Sequence, residues 1–297
     1  MPIMIPPRSH AADVRHLTSH DGTRICYSVW GEGPRTLVLA PGLATGPLTY
    51  DFIVEHFAPS MRIVTWDQRG TFRSGQPPAG GAAQRVCDTV GDLAAIIAAE
   101  KLASFVLVGW SMGVQTSLEF CVRFPRQVEA LGLISGTYGR VFDTATHPAI
   151  GRVVSKLMGA VVPFGRRLDP IVKATLRHRA FLPALFATRM MHPRNKDFLA
   201  AVIDEFSGND FGRYVPMMRA LYDHTSWPYL PEITQPTLIV AGTHDLLTPM
   251  RVARRMHERM PNAQLRVVEG GTHFTLHEFP EIINEALEGL IGPRGAP

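Results

Sequence analysis

Cysteine and long apolar runs are scarce in this 297-residue sequence. The three cysteines, Cys26, Cys87 and Cys121, are odd in number and form no Cys-x-x-Cys pair, which argues against a disulfide framework and for a reducing compartment. No apolar stretch approaches the roughly 20 residues of a membrane span. The proline-rich first ten residues are too short for a signal-peptide core. We therefore expect a cytoplasmic protein without a membrane span.

Strong charge of either sign is also missing. The formal net charge is +4, and the basic residues follow neither zinc-finger spacing nor an aromatic-studded stripe, so we predict no nucleic-acid partner. The densest basic stretch is interpreted as a solvated face; its members are Arg166, Arg167, Lys173, Arg177 and Arg179. With 45% hydrophobic and 19% charged residues, the composition is typical of a globular protein.

Short apolar runs without polar alternation recur along the chain, a pattern typical of strands buried on both faces of a parallel sheet. They cover residues 36–40, 62–66, 105–108, 131–134, 237–240 and 265–268. Helix-patterned segments separate them, at residues 90–99, 112–124, 250–260 and 281–290. Two earlier runs, 14–19 and 24–30, flank an Asp-Gly turn and predict a hairpin. The alternation predicts an α/β fold with a doubly wound, mostly parallel sheet.

One long segment interrupts this alternation. Residues 138–230 show helical patterning without a clear buried strand, and so long a loop would be unusual in a compact domain. We predict a helical lid inserted at 138–230 into a core made of residues 1–137 and 231–297. Its apolar residues favour a hydrophobic substrate pocket; they are Leu157, Met158, Phe164, Leu182, Leu185, Phe186, Met190, Met191, Met217, Met218 and Leu221.

A candidate nucleophile lies at the end of the third of these buried runs. Residues 109–113 read Gly-Trp-Ser-Met-Gly, directly between a predicted strand and a predicted helix. A nucleophilic serine needs such a tight strand-to-helix turn, with glycines leaving room for the backbone, and this points to Ser111. The amide of Met112 at the helix start can donate to a developing oxyanion.

A serine hydroxyl also needs a base and an acid that orients the base. The expected chain order is serine, acid, histidine, each after a strand, and Asp245 and His273 supply it. Asp143 is the fallback acid. His277 is interpreted as the opening of the last helix, with Glu278 and Pro280 in its first turn. A His273–His277 metal pair is disfavoured, because no third ligand is evident.

The loop after the 36–40 run is the candidate for the second oxyanion donor. Gly42 permits a close backbone approach, and the Leu43 amide is the predicted donor. In the loop after the 62–66 run, Asp67 and Arg69 are expected to brace the backbone through hydrogen bonds. Trp110 and Phe72 are predicted to line the substrate pocket.

On these motifs the sequence resembles the lid-containing α/β-hydrolase superfamily over about residues 14–290. The matching segments are Gly109–Gly113, Asp67–Gly70 with Ser74, Ala241–Asp245 with Thr248 and Pro249, and Gly271–His273 with Glu278 and Pro280. The resemblance implies Ser111, Asp245 and His273 as a catalytic triad, the Leu43 and Met112 amides as the oxyanion hole, and neither cofactor nor metal. Two residues depart from the usual pattern: Pro41 replaces a histidine in the oxyanion loop, and Phe72 replaces a glycine.

The predicted function is cofactor-free hydrolysis of a carboxylic ester, or a related acyl bond, of a hydrophobic small molecule. Ser111 argues against the epoxide hydrolases and haloalkane dehalogenases of this superfamily, which use aspartate at that position. Two alternatives stay open, a carbon–carbon bond hydrolase of diketone-type ring-cleavage products and a slow ligand receptor or signalling protein. Homo-oligomer formation is also left open.

Overall fold

A single eight-stranded sheet forms the centre of the molecule. The computed structural model describes residues 11–80, 84–145, 153, 156, 157 and 164–292. In chain order the strands are β1 (Asp13–Thr18), β2 (Arg24–Trp30), β3 (Thr36–Ala40), β4 (Arg62–Trp66), β5 (Phe105–Trp110), β6 (Val128–Ile134), β7 (Thr237–Gly242) and β8 (Ala263–Val268). Their spatial order is β1-β2-β4-β3-β5-β6-β7-β8. The pairs from β4 through β8 are parallel and the β1–β2 hairpin is antiparallel, which confirms the predicted mostly parallel sheet.

Helices cover both faces of the sheet. They are α1 (Asp51–Phe57), α2 (Val86–Ala99), α3 (Met112–Arg123), α4 (Val141–Ala145), α5 (Gly165–Arg177), α6 (Phe181–Ala187), α7 (Lys196–Ser207), α8 (Phe211–Asp223), α9 (Met250–Arg259), α10 (Thr275–Glu278) and α11 (Pro280–Ile291). Successive strand residues point to opposite faces. Val38 therefore belongs to the core on the face covered by α2, α3 and α9, whereas Leu39 belongs to the core on the face covered by α1 and α11.

The segment between β6 and β7 contains helices α4 to α8 and a 3-10 helix at Trp227–Glu232. Within its described part, β structure is limited to one bridge between Gly139 and Thr225. Met158, predicted to belong to the apolar set, lies outside the described residues. Of the helices that the structure describes, none combines the length and apolarity that a membrane crossing requires.

A buried ion pair fixes the loop after β4. Arg69 is 1% exposed and donates two hydrogen bonds, of 2.8 and 2.5 Å, to the Asp92 carboxylate on α2. A third, of 2.8 Å, reaches Asp21 in the β1–β2 turn. Arg73 in the same loop binds Asp67 through its guanidinium, at 2.7 and 3.0 Å. These contacts match the predicted bracing role of Asp67 and Arg69.

We expect Arg69→Met to lower the free energy of unfolding by about 3–5 kcal/mol, because it leaves the Asp92 charge buried without its partner. Urea denaturation followed by circular dichroism measures this change. The control is Arg123→Met, which breaks a half-exposed pair with Glu119 on α3 and should cost about 1 kcal/mol or less. Equal small losses in both variants would contradict the prediction.

Candidate active site

Ser111 occupies a tight turn between β5 and α3. Its backbone angles are φ 56° and ψ −116°, a conformation that L-residues rarely adopt. The turn depends on glycine at two positions. A Cβ at Gly109 would collide with the Gly113 carbonyl, and one at Gly113 would collide with the Ala40 carbonyl on β3. This geometry raises the Ser111 side chain at the carboxyl end of the sheet, as in a nucleophile elbow.

The structure brings three predicted residues into one hydrogen-bonded chain. His273 Nε2 lies 2.9 Å from Ser111 Oγ, and His273 Nδ1 lies 3.0 Å from Asp245 Oδ2. The three residues follow β5, β7 and β8, whose carboxyl ends lie along the same edge of the sheet. His273 and Asp245 are buried. The arrangement can move a proton from the hydroxyl to the imidazole while the carboxylate stabilises the resulting cation.

Several donors hold the Asp245 carboxylate in place. The amides of Leu247 and Thr248 each donate to Oδ1 at 2.8 Å, and the Thr248 hydroxyl donates to Oδ2 at 2.6 Å. Burial opposes ionisation of Asp245, but the electrostatic attraction and hydrogen bond of His273, together with two hydrogen bonds from Thr248, hold the pKa of Asp245 below its ordinary value. Asp245 is therefore a carboxylate at neutral pH.

Glu278 supports the loop that carries His273. Its carboxylate accepts hydrogen bonds from the amide and hydroxyl of Thr272, at 2.9 and 2.6 Å, and from the His192 amide at 2.8 Å. Burial raises the pKa of Glu278 above its usual value. The prediction that Glu278 belongs to the first turn of the last helix is wrong, because α11 begins at Pro280. Trp110 also fixes this loop, since its indole Nε1 donates to the His273 carbonyl at 2.9 Å.

The predicted oxyanion residues, Leu43 and Met112, both line the cavity beside Ser111. Gln68 supports their surroundings. Its side-chain carbonyl accepts from the Ala44 amide at 2.8 Å, and its amide nitrogen lies 3.3 Å from the Pro41 carbonyl and 3.2 Å from the Met112 sulfur. The sequence did not predict this role of Gln68. The one feature that could have indicated it is the position of Gln68 inside the Asp67–Gly70 motif.

A cavity of about 350 Å³ opens onto Ser111 and His273. Trp110 lines it, as predicted, but Phe72 does not. The Phe72 side chain is 37% exposed on a loop where the backbone takes a φ of 43°, which corrects the predicted pocket contact. Five residues of the predicted apolar set line the cavity, namely Leu185, Met190, Met191, Met218 and Leu221. Leu182, Phe186 and Met217 are not among the lining residues, and Leu157 and Phe164 are exposed.

The rival residues lie in other environments. Asp143 accepts a hydrogen bond from the Tyr222 hydroxyl at 3.2 Å. His277 is fully buried, with its ring near those of Trp110, Phe198 and Phe274, and burial lowers its pKa to about 3. Among the described residues, no three or more His, Cys, Asp or Glu side chains cluster as metal ligands would.

Comparison with known proteins shows the family to which the chain belongs. Residues 35–280 match the profile of a family described as alpha/beta hydrolase fold. The chain belongs to this family. It is a hydrolase of the α/β-hydrolase fold family, and its mostly parallel eight-stranded sheet with flanking helices is consistent with that fold.

Three known proteins are similar to the chain over most of its length. A putative carbamate hydrolase, RutD, of Agrobacterium fabrum is 28% identical over 87% of this chain and 93% of its own length. An uncharacterized protein of Mycobacterium tuberculosis is 26% identical over 93% of this chain and 80% of its own. The esterase EaEST of Exiguobacterium antarcticum has a similar structure, with a TM-score of 0.75 at 20% identity, covering 92% of this chain and 97% of its own. The esterase's low identity limits that likeness to the fold.

Proposed function

We propose that this hydrolase cleaves a carboxylic ester, or a related acyl bond, of a hydrophobic small molecule through an acyl-enzyme on Ser111. The observation that carries the proposal is the hydrogen-bonded chain from Ser111 through His273 to Asp245, with distances of 2.9 and 3.0 Å. A serine within hydrogen-bond reach of a base that is itself oriented by a carboxylate is the arrangement nucleophilic acyl transfer requires.

In the proposed mechanism Ser111 Oγ attacks the acyl carbonyl while His273 Nε2 takes its proton. The oxyanion that forms receives hydrogen bonds from the amides of Leu43 and Met112. His273 then returns the proton to the leaving alcohol, and the carbonyl double bond reforms as the C–O bond breaks. Water, deprotonated by His273, releases the acid by the same two steps. Asp245 stabilises the imidazolium in each half-reaction.

The cavity walls support a hydrophobic acyl or alcohol group. Helices α6, α7 and α8 contribute Leu185, Val202, Phe206, Met218 and Leu221 to the wall of the cavity that Ser111 and His273 also line. Flexible, polarisable methionine side chains adapt to substrates of varied outline. We propose that residues 138–230 act as a lid whose apolar inner side selects such substrates.

Carbamate hydrolysis is the second candidate, favoured by the RutD relative that covers most of both chains. A carbamate carbonyl is also attacked by a serine nucleophile and passes through a tetrahedral oxyanion. The same site chemistry therefore serves both bonds. The size and the apolar walls of the cavity favour an ester with a substantial hydrocarbon part over a small polar carbamate.

The test is a series of p-nitrophenyl esters from acetate to decanoate, beside a p-nitrophenyl N-alkyl carbamate. We expect the highest kcat/KM with a medium or long acyl chain, and mass spectrometry of peptides from quenched, proteolysed samples should show the acyl group on the peptide that contains Ser111. Faster turnover of the carbamate would favour the second candidate. If the folded protein hydrolyses neither, the carbon–carbon hydrolase and receptor hypotheses replace both.

A further inference from the structure

The oxyanion loop is held by a side chain from the helical segment. Asn209 follows α7, is 6% exposed, and donates a hydrogen bond of 2.8 Å from Nδ2 to the carbonyl of Ala44. The same nitrogen donates to the Phe206 carbonyl at 2.9 Å, which fixes the orientation of the amide. Ala44 is the residue directly after Leu43, the proposed oxyanion donor.

Ala44 needs such support because its backbone is unusual. Its φ is 51°, in the left-handed region that costs about 1–2 kcal/mol for an L-residue other than glycine, asparagine or aspartate. Two side chains form hydrogen bonds with the backbone of Ala44. Gln68 accepts from the Ala44 amide at 2.8 Å, and Asn209 donates to the Ala44 carbonyl at 2.8 Å. The peptide before Ala44 is thus fixed from the core by Gln68, and the peptide after it is fixed from the helical segment by Asn209.

Helix α7 is tied to the core at both ends. Before its first turn, Asn195 donates to the carbonyl of His277 at 2.9 Å, close to the loop that carries His273. In its first turn, Phe198 packs on Phe52 with ring centroids 4.5 Å apart. Beyond its last turn, Asn209 reaches the oxyanion loop. The helix therefore runs from the histidine loop to the oxyanion loop.

We propose that Asn209 is a positioning residue that holds the Leu43 amide in the geometry needed to stabilise the oxyanion, so that the docked helical segment completes the active site. The inference rests on the proposed function, because it assigns to Asn209 a part in the same acyl transfer. An amide donor stabilises the oxyanion from a distance of about 2.7–3.1 Å, and misplacement by about 1 Å can cost about 10²-fold in rate. Asn209 acts through Ala44 and need not touch the substrate.

The experiment compares Asn209→Asp with the wild type and with Asn195→Gly. Asn209→Asp keeps the size of the side chain but places a carboxylate oxygen where the Ala44 carbonyl needs a donor. Asn195→Gly breaks the tie at the other end of α7, and glycine tolerates the φ of 57° found there. The two variants therefore separate an effect on the oxyanion loop from loosened docking of the helix.

We expect Asn209→Asp to lower kcat for the best p-nitrophenyl ester by about 10–100-fold, with KM changed by about twofold or less. The inhibition constant of phenylboronic acid, which forms a tetrahedral adduct with the serine, should rise in parallel with the fall in kcat. Asn195→Gly should move neither quantity by more than about threefold. Asn209→Ser, which retains a donor hydroxyl, should recover part of kcat. Equal losses in Asn209→Asp and Asn195→Gly, or unchanged boronate binding, would overturn the inference.

Labelling of Ser111 by a fluorophosphonate separates this inference from the proposed function. If the wild type is labelled but hydrolyses neither ester nor carbamate, and Asn209→Asp is labelled more slowly than the wild type, the inference is retained and the hydrolytic function is rejected. If the wild type and Asn209→Asp hydrolyse esters at the same rate, the hydrolytic function is retained and the inference is rejected. If the folded wild type neither labels nor turns over, both are overturned.

Discussion

Replacement of Ser111 by alanine should reduce kcat toward p-nitrophenyl esters by about 10⁴-fold or more while the fold is retained. The variant removes the only atom able to form the acyl-enzyme in the proposed mechanism. The hydroxyl is not used to cap α3, since the side chain makes no capping hydrogen bond at the helix N-terminus. Its partner among the described contacts is His273, at 2.9 Å. Stability should therefore change little.

Initial rates with enzyme in stoichiometric excess give the residual activity, and thermal melts followed by circular dichroism report the fold. Ser104→Ala is the matched control, because Ser104 is an exposed serine whose hydroxyl binds Glu129 on the surface. That variant should retain the wild-type rate within about twofold. Turnover in Ser111→Ala close to that of the wild type would reject the acyl-enzyme mechanism and redirect attention to a water molecule activated by His273.

Local sequence signals were sufficient to predict the elements that carry the site. The runs at 36–40 and 62–66 coincide with β3 and β4 because strands buried on both faces leave an uninterrupted apolar pattern. Strands β6 and β8 begin earlier than predicted, at Val128 and Ala263, since exposed positions near their starts break that pattern. Ser111, Asp245 and His273 could be placed together from the Gly-Trp-Ser-Met-Gly motif, the chain order and the position of each residue after a predicted strand, because the carboxyl ends of parallel strands meet at one edge of the sheet.

Contacts between distant segments could not be predicted in the same way. Asn209 reaches Ala44 across 165 residues of sequence, and Asn195 reaches His277 across 82. A side-chain amide donating to a backbone carbonyl leaves no periodicity or motif, because its partner is an atom that every residue possesses. For Phe72 the sequence led to the opposite error, a predicted contact that the structure does not contain. Its size suggested a pocket wall, but the left-handed backbone of its loop leaves the ring exposed at the surface.

Asp245→Asn should lower kcat by about 10³–10⁴-fold with little change in KM. The Leu247 and Thr248 amides, which donate to Oδ1, hold the carbonyl oxygen of an asparagine at that position. The amide nitrogen then faces His273 Nδ1 and donates to it, so the ring proton moves to Nε2. With a proton on Nε2 the imidazole cannot accept the one from Ser111, and the nucleophile is no longer activated.

Asp143→Asn is the decisive control, because Asp143 is the alternative acid suggested by chain order. The structure pairs it with the Tyr222 hydroxyl on α8, so its replacement should leave kcat within about threefold of the wild type. The double variant Ser111→Ala/Asp245→Asn adds a second check. Residues of one catalytic unit give non-additive losses, so the double variant should be about as slow as Ser111→Ala alone. A large loss in Asp143→Asn, or additive losses in the double variant, would mean that Asp245 serves the protein in a way other than orienting His273.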